Sequence, residues 1–182
     1  MSRQKGDIMR ELMISIQPKW CKLICSGEKT VEVRKNRPKC ELPFKCYIYC
    51  TKGKPTFTQS AFCDDISNGK VIGEFVCDRI YDITPTSPHK YDCGWNVYEE
   101  HSRLTFDEFR NYLREKNGYG WHITDLVVYD EPRELSKFGK PREEFEFSTV
   151  DSPTIMKVRG RPEFFDRPPM SWCYIEPRQT AD

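Results

Sequence analysis

Pairs of cysteines two residues apart are missing from this sequence, and with them the knuckles from which structural zinc sites are usually built. The nine cysteines, Cys21, Cys25, Cys40, Cys46, Cys50, Cys63, Cys77, Cys93 and Cys173, are an odd number, and Met1 to Arg10 has no apolar stretch of the export type. Free thiols in a cytoplasmic, reducing compartment are therefore expected, with no metal and no other cofactor. Histidine is scarce: His89, His101 and His122 stand alone, so no histidine pair is supplied for acid–base cleavage of RNA. There is no glycine-rich phosphate loop, no internal repeat and no apolar run near the roughly 18 residues of a membrane span. Net charge is nearly absent too, at +1, so any attraction for a polyanion has to come from local bias.

What is present suits a folded but polar chain. Of its 182 residues, 37% are hydrophobic, 31% charged and 13% aromatic, which fits one domain with a core and sizeable loops. The local charge bias lies early. From Lys19 to Lys54 there are ten basic residues (Lys19, Lys22, Lys29, Arg34, Lys35, Arg37, Lys39, Lys45, Lys52 and Lys54) against Glu28, Glu32 and Glu41.

The same region carries the clearest local pattern. Pro18 suits a first helical position, Trp20, Leu23 and Ile24 share one helical face, and Gly27 suits the left-handed residue that ends a helix. After Gly27 the period becomes two: Val31 and Val33 point one way, and Thr30, Glu32 and Arg34 the other, with Lys29 at the strand's start. The polar face reads either as a solvated strand with a weak Glu32–Arg34 pair or as the floor of an anion-facing groove.

Further along, strands are expected at Leu12–Ile16, Phe44–Thr51, Val71–Cys77, Trp121–Tyr129 and Trp172–Glu176. Gly73 suits a sharp bend or the close approach of another backbone. Thr105 and Glu108 have capping-box spacing ahead of a Phe106, Phe109, Tyr112, Leu113 stripe, so a second helix is expected to run to near Gly118. No regular element is expected between Tyr81 and Arg103. The prolines after Glu131 predict an irregular arm over 131–171 with one short strand near Ile155–Val158, beside a core of about 11–130 and a closing strand at 172–176.

Gly27-Glu28-Lys29-Thr30-Val31-Glu32-Val33-Arg34 resembles the G-x-K-T-x-E-x-R signature of the ASCH domain, a member of the PUA-like β-barrel superfamily of modules associated with RNA and modified bases. Ile14 to Lys19, Lys70 to Cys77, Tyr119 to Ile123 and Arg167 to Tyr174 are similar to further segments of the longer bacterial and phage ASCH proteins. The resemblance implies an α+β, mainly β fold: a barrel of about six strands with two flanking helices and long loops. It implies a ligand class, RNA or a modified nucleoside or nucleotide; no membrane and no obligate protein partner are expected. Lys19, Lys22, Lys29 and Arg34 are the candidate rim for phosphate, Trp121 or Trp172 the candidate stacking plate, and Glu32 the acceptor for a base N–H. An alternative is a small hydrolase. ASCH proteins that deacetylate N4-acetylcytidine are similar at Gly27, Lys29, Thr30 and Arg34 but have a threonine nucleophile where this chain has Glu32, which leaves Lys29, Glu32 and Thr30 as candidate catalytic residues. A ribonuclease reading would use Lys29 and Glu32.

Overall fold

The computed structural model describes residues 9–53, 68–83, 100–114, 116–142, 144–149, 152–161 and 163–176. The chain runs β1 (Glu11–Ile16), α1 (Pro18–Cys25), β2 (Val31–Arg34), β3 (Phe44–Cys50), β4 (Val71–Cys77), β5 (Ile80–Ile83), α2 (Phe106–Leu113), β6 (Gly118–His122) and β7 (Thr124–Arg133). A 3-10 turn at Leu135–Lys137, β8 (Glu144–Thr149), β9 (Ser152–Arg159) and β10 (Trp172–Tyr174) complete the order.

Five strands form one sheet in the order β10-β1-β3-β4-β7, and three form a second, β2-β6-β5. The two sheets do not close into the six-strand barrel expected from the sequence; they face one another as layers. The chain passes between them at two corners. Only Asp78 and Arg79 separate β4 from β5, and only Ile123 separates β6 from β7, so the expected single strand from Trp121 to Tyr129 is two strands in two sheets. The parallel β1–β3 pair is joined through α1 and β2, which carries β2 across to the second sheet.

Close approach explains Gly73. A Cβ there would lie 2.4 Å from the Val127 carbonyl oxygen on β7, where the β4–β7 register shifts. Gly27 ends α1 with φ +76°, as its position after the helix suggests.

Three apolar clusters hold the layers. The largest lies between the sheets and includes Leu12, Ile14, Phe44, Ile48, Phe75 and Trp121, with Cys21 and Ile24 of α1 covering one end. Full burial of each large side chain contributes roughly 1.5–3 kcal/mol. A second cluster puts Leu135, Phe138 and Phe165 over Met13, Tyr47 and Tyr49, on the opposite face of the five-stranded sheet. The stretch expected to be irregular thus covers a sheet face, and it also forms the β8–β9 hairpin instead of one short strand. The third cluster packs α2, through Phe109 and Leu113, against Val33 and Ile83 of the three-stranded sheet.

The capping box forms as the sequence suggests. Glu108 N donates to Thr105 Oγ1, and Thr105 N donates to Glu108 Oε2. The helix ends sooner than expected, at Leu113, with Arg114 left-handed at φ 53°. A hydrogen bond from Lys19 is the main cause holding the Glu108 carboxyl below its ordinary value of 4.5. Its contribution is complete above 4.5 and is lost as pH falls through the lowered folded value. Thr105→Ala should cost about 1 kcal/mol in urea unfolding at neutral pH, with the native near-ultraviolet dichroism retained; no loss would show that the cap is redundant.

Candidate functional site

β2 is buried on both faces. Val31, Glu32, Val33 and Arg34 are all shielded, although the strand has an alternating apolar–polar sequence. Val31 and Val33 lie on the side of Gly120 and α2, whereas Glu32 and Arg34 face the interior between the sheets. In the β2–β6 register Glu32 is opposite Trp121, and Arg34 is opposite Tyr119. The polar side of the strand is therefore neither a solvated surface nor an open rim.

Burial makes satisfaction of these charges the controlling question. Lys29 is 2% exposed, and its ammonium donates to Val31 O at 2.8 Å and Ser102 O at 2.6 Å. It lies 3.3 Å from Glu32 Oε2, at ion-pair distance without hydrogen-bond alignment. Arg34 Nη1 is 3.0 Å from Glu32 Oε1, and Nη2 donates to Ser15 O at 2.6 Å. Desolvation is the main cause lowering the Lys29 pKa, and the charge of Glu32 opposes it. Lys29 thus joins the start of β2 to the segment ahead of α2, and Arg34 joins β2 to β1.

Three buried side-chain atoms on this face have no hydrogen-bond partner: Glu32 Oε2, Arg34 Nε and Trp121 Nε1. They comprise one acceptor and two donors. The Trp121 ring is 0% exposed, with Phe44 edge-on at 5.3 Å and Trp172 tilted at 5.6 Å. Its ring faces are enclosed, so the indole N–H is the group it offers. Trp172 is half-buried, as is Trp20, whose ring lies 4.1 Å from the Lys19 ammonium and 5.1 Å from that of Lys29.

The remaining sequence candidates lie outside this cluster. Lys19 is exposed and pairs with Glu108 at 2.6 Å, while Lys22 is exposed on α1. Thr30 Oγ1 lies 3.0 Å from His101 Nδ1, and His122 Nδ1 lies 2.6 Å from Asp78 Oδ1. The roles of Ser15, Ser102 and His101 were not visible in the sequence, since Ser15 and Ser102 act through backbone carbonyls and His101 lies 71 residues from Thr30. A surface recess of about 450 Å³ lined by Asp107, Arg110, Asn111 and Arg114 contains none of the candidates. Among the described residues, no three His, Cys, Asp or Glu side chains are grouped to hold a metal, and no helix is long and apolar enough to cross a membrane.

This mainly β, two-sheet architecture is shared with known structures. ASCH from Zymomonas mobilis superimposes with a TM-score of 0.58 at 19% identity, covering 92% of this chain and 88% of that one. A mutant form of the same protein gives 0.57 at 19% identity, covering 92% and 89%. At that identity the likeness is one of fold. The ASCH domain family profile matches residues 14–133, well over half of the sequence, and the chain belongs to that family. No curated protein matches it.

Removing Lys29 would leave the Glu32–Arg34 pair and two backbone carbonyls short of a partner. Lys29→Met should therefore destabilise the fold by about 3–5 kcal/mol in urea titration, whereas Lys19→Ala, at an exposed pair, should cost no more than about 1 kcal/mol. Equal effects would contradict the assignment of Lys29 as a buried tie.

Proposed function

We propose that this ASCH protein binds RNA or a modified nucleobase, with the base edge read at the interior face of β2. The observation that carries the reading is a set of buried polar atoms on one sheet face, Arg34 Nε and Trp121 Nε1 without a hydrogen-bond partner and Glu32 Oε2 held only by the Lys29 ion pair at 3.3 Å. Buried polar groups in folded proteins are nearly always paired, because an unpaired one costs about 1–3 kcal/mol. A ligand edge that supplies the partners removes that cost. Lys29 takes a positioning role here, since its ammonium is engaged with two carbonyls.

The basic bias then acts at the surface. Lys22, Lys35, Arg37 and Lys39 are exposed and are suited to phosphates, which give affinity without sequence information. Half-buried Trp20 and Trp172 border the interior cluster and offer aromatic surface. Glu32→Gln should weaken binding of the preferred nucleoside or short single-stranded RNA by about 1–3 kcal/mol in calorimetry while leaving the circular dichroism native. If neither nucleosides nor RNA bind the wild-type protein at low salt, the reading fails.

The hydrolase alternative is favoured by the Thr30–His101 contact, a hydroxyl within reach of a base. It predicts turnover of N4-acetylcytidine that Thr30→Ala abolishes. Binding without turnover would leave the reader.

A further inference from the structure

We infer that the loop after β2, with the tyrosines around it, is a docking surface for single-stranded nucleic acid, so that the ligand is a strand several nucleotides long and not an isolated nucleoside. The inference rests on the nucleobase-binding reading and names the ligand class which that reading leaves open. Lys35, Arg37 and Lys39 alternate along the loop, and all three are exposed. Each meets a tyrosine from a different element. The Lys35 ammonium lies 5.1 Å from the centre of the Tyr112 ring on α2, and the Arg37 guanidinium lies 6.0 Å from that of Tyr119 on β6. The backbone N–H of Lys39 donates to the Tyr174 hydroxyl on β10 at 2.9 Å, which fixes the loop to the edge of the five-stranded sheet. Tyr119, Tyr174 and Trp172 are half-buried and pack on the border of the large cluster between the sheets, with Tyr174 edge-on to Trp172 at 5.8 Å.

The charges of the loop are not spent within the fold. Lys19 and Lys45 pair with Glu108 and Glu74, but among the described residues none of Lys35, Arg37 and Lys39 is in an ion pair. Glu41 is the one acidic residue between positions 35 and 43. Exposed Arg10 adds a fourth cation, near enough to act electrostatically on Cys40 and Tyr174. Cations interleaved with aromatic rings are what a single strand requires: the cations follow the phosphates, and the rings stack on bases whose faces are free. A duplex keeps its base faces inside its own stack and gains from the cations alone. A nucleoside has a base face but no run of phosphates. An acidic protein would use the cations and leave the rings idle.

The test measures binding to the full-length protein by fluorescence anisotropy with a dye-labelled single-stranded RNA of about 12 nucleotides, within the span that single-strand sites cover. The same RNA annealed to its complement, and a nucleoside monophosphate as competitor, provide the comparison. The single strand is expected to bind at least about tenfold more tightly than either, because each stacked base adds roughly that factor. Lys35→Gln, Arg37→Gln and Lys39→Gln combined should lower the slope of log affinity against log salt by about 2, since each phosphate contact contributes about 0.7. Lys137→Gln, in the 3-10 turn over the opposite face of the five-stranded sheet, should leave the slope unchanged. The combined variant is altered only at exposed positions, and circular dichroism checks that it is folded. Duplex binding as tight as that of the single strand, or displacement of the RNA by polyglutamate as readily as by unlabelled RNA, would make the loop a general polyanion surface and overturn the inference. A monophosphate that binds as tightly as the strand, or an unchanged salt slope in the combined variant, would overturn it while leaving nucleobase binding at β2 intact. Failure of strand, duplex and monophosphate alike to bind at low salt would remove it together with the base-binding function beneath it.

Discussion

The Lys29 ammonium, enclosed between the two sheets and the segment ahead of α2, is the contact on which the arrangement of this protein depends. Its bonds to Val31 O and Ser102 O tie the start of β2 to the chain 73 residues later, alongside the exposed Thr30–His101 contact. Without its charge, Glu32 would share the interior with Arg34 alone. Burying ions is expensive, and the cost is met here by backbone carbonyls as much as by opposite charge. Ser15 does for Arg34 what Ser102 does for Lys29. Each cation is fixed by a carbonyl from another part of the chain, so the sheet, the helix-bearing segment and β1 are held in register around Glu32.

That arrangement separates two tasks which the sequence placed on one surface. The outer lysines and arginines lie on α1 and on the loop after β2, where they remain hydrated. The groups with directional preference lie inside, on β2 and β6, where hydrogen bonds count for more because water does not compete. A basic exterior attracts a polyanion regardless of its bases, whereas an ordered set of buried donors and acceptors distinguishes one base edge from another. On the proposed base-binding function, affinity and selectivity would rest on different parts of the fold.

Short-range features were legible before the structure. Pro18 at the helix start, Gly27 at its end, the Thr105–Glu108 box and the close approach at Gly73 each depend on local geometry. The environment of β2 was not legible, because its two covers, α2 and the five-stranded sheet, come from distant segments. Alternation correctly separated the Glu32 face from the Val33 face but could not say that the polar face was the inner one. Prolines also misled. Pro132 is accommodated on β7, an edge strand with shifted register, and Pro153 stands second in β9 of a two-stranded hairpin, both places where a missing N–H is tolerated. The expected barrel came from the family resemblance, and the sheets instead share corners without closing. The expectations at Cys63, Cys93 and His89 lie outside the described residues.

The central claim is that a ligand meets the interior atoms of Glu32, Arg34 and Trp121 and not merely the basic surface. Nitrogen–proton correlation spectra test this directly, because the four tryptophans give separable indole signals and Trp121→Phe identifies the relevant one. On titration with a short single-stranded RNA, the Trp121 indole proton should move downfield as Nε1 gains an acceptor. Saturable binding that shifts only the backbone signals of Lys22 and Lys35 to Lys39, with the Trp121 indole unmoved, would contradict the account.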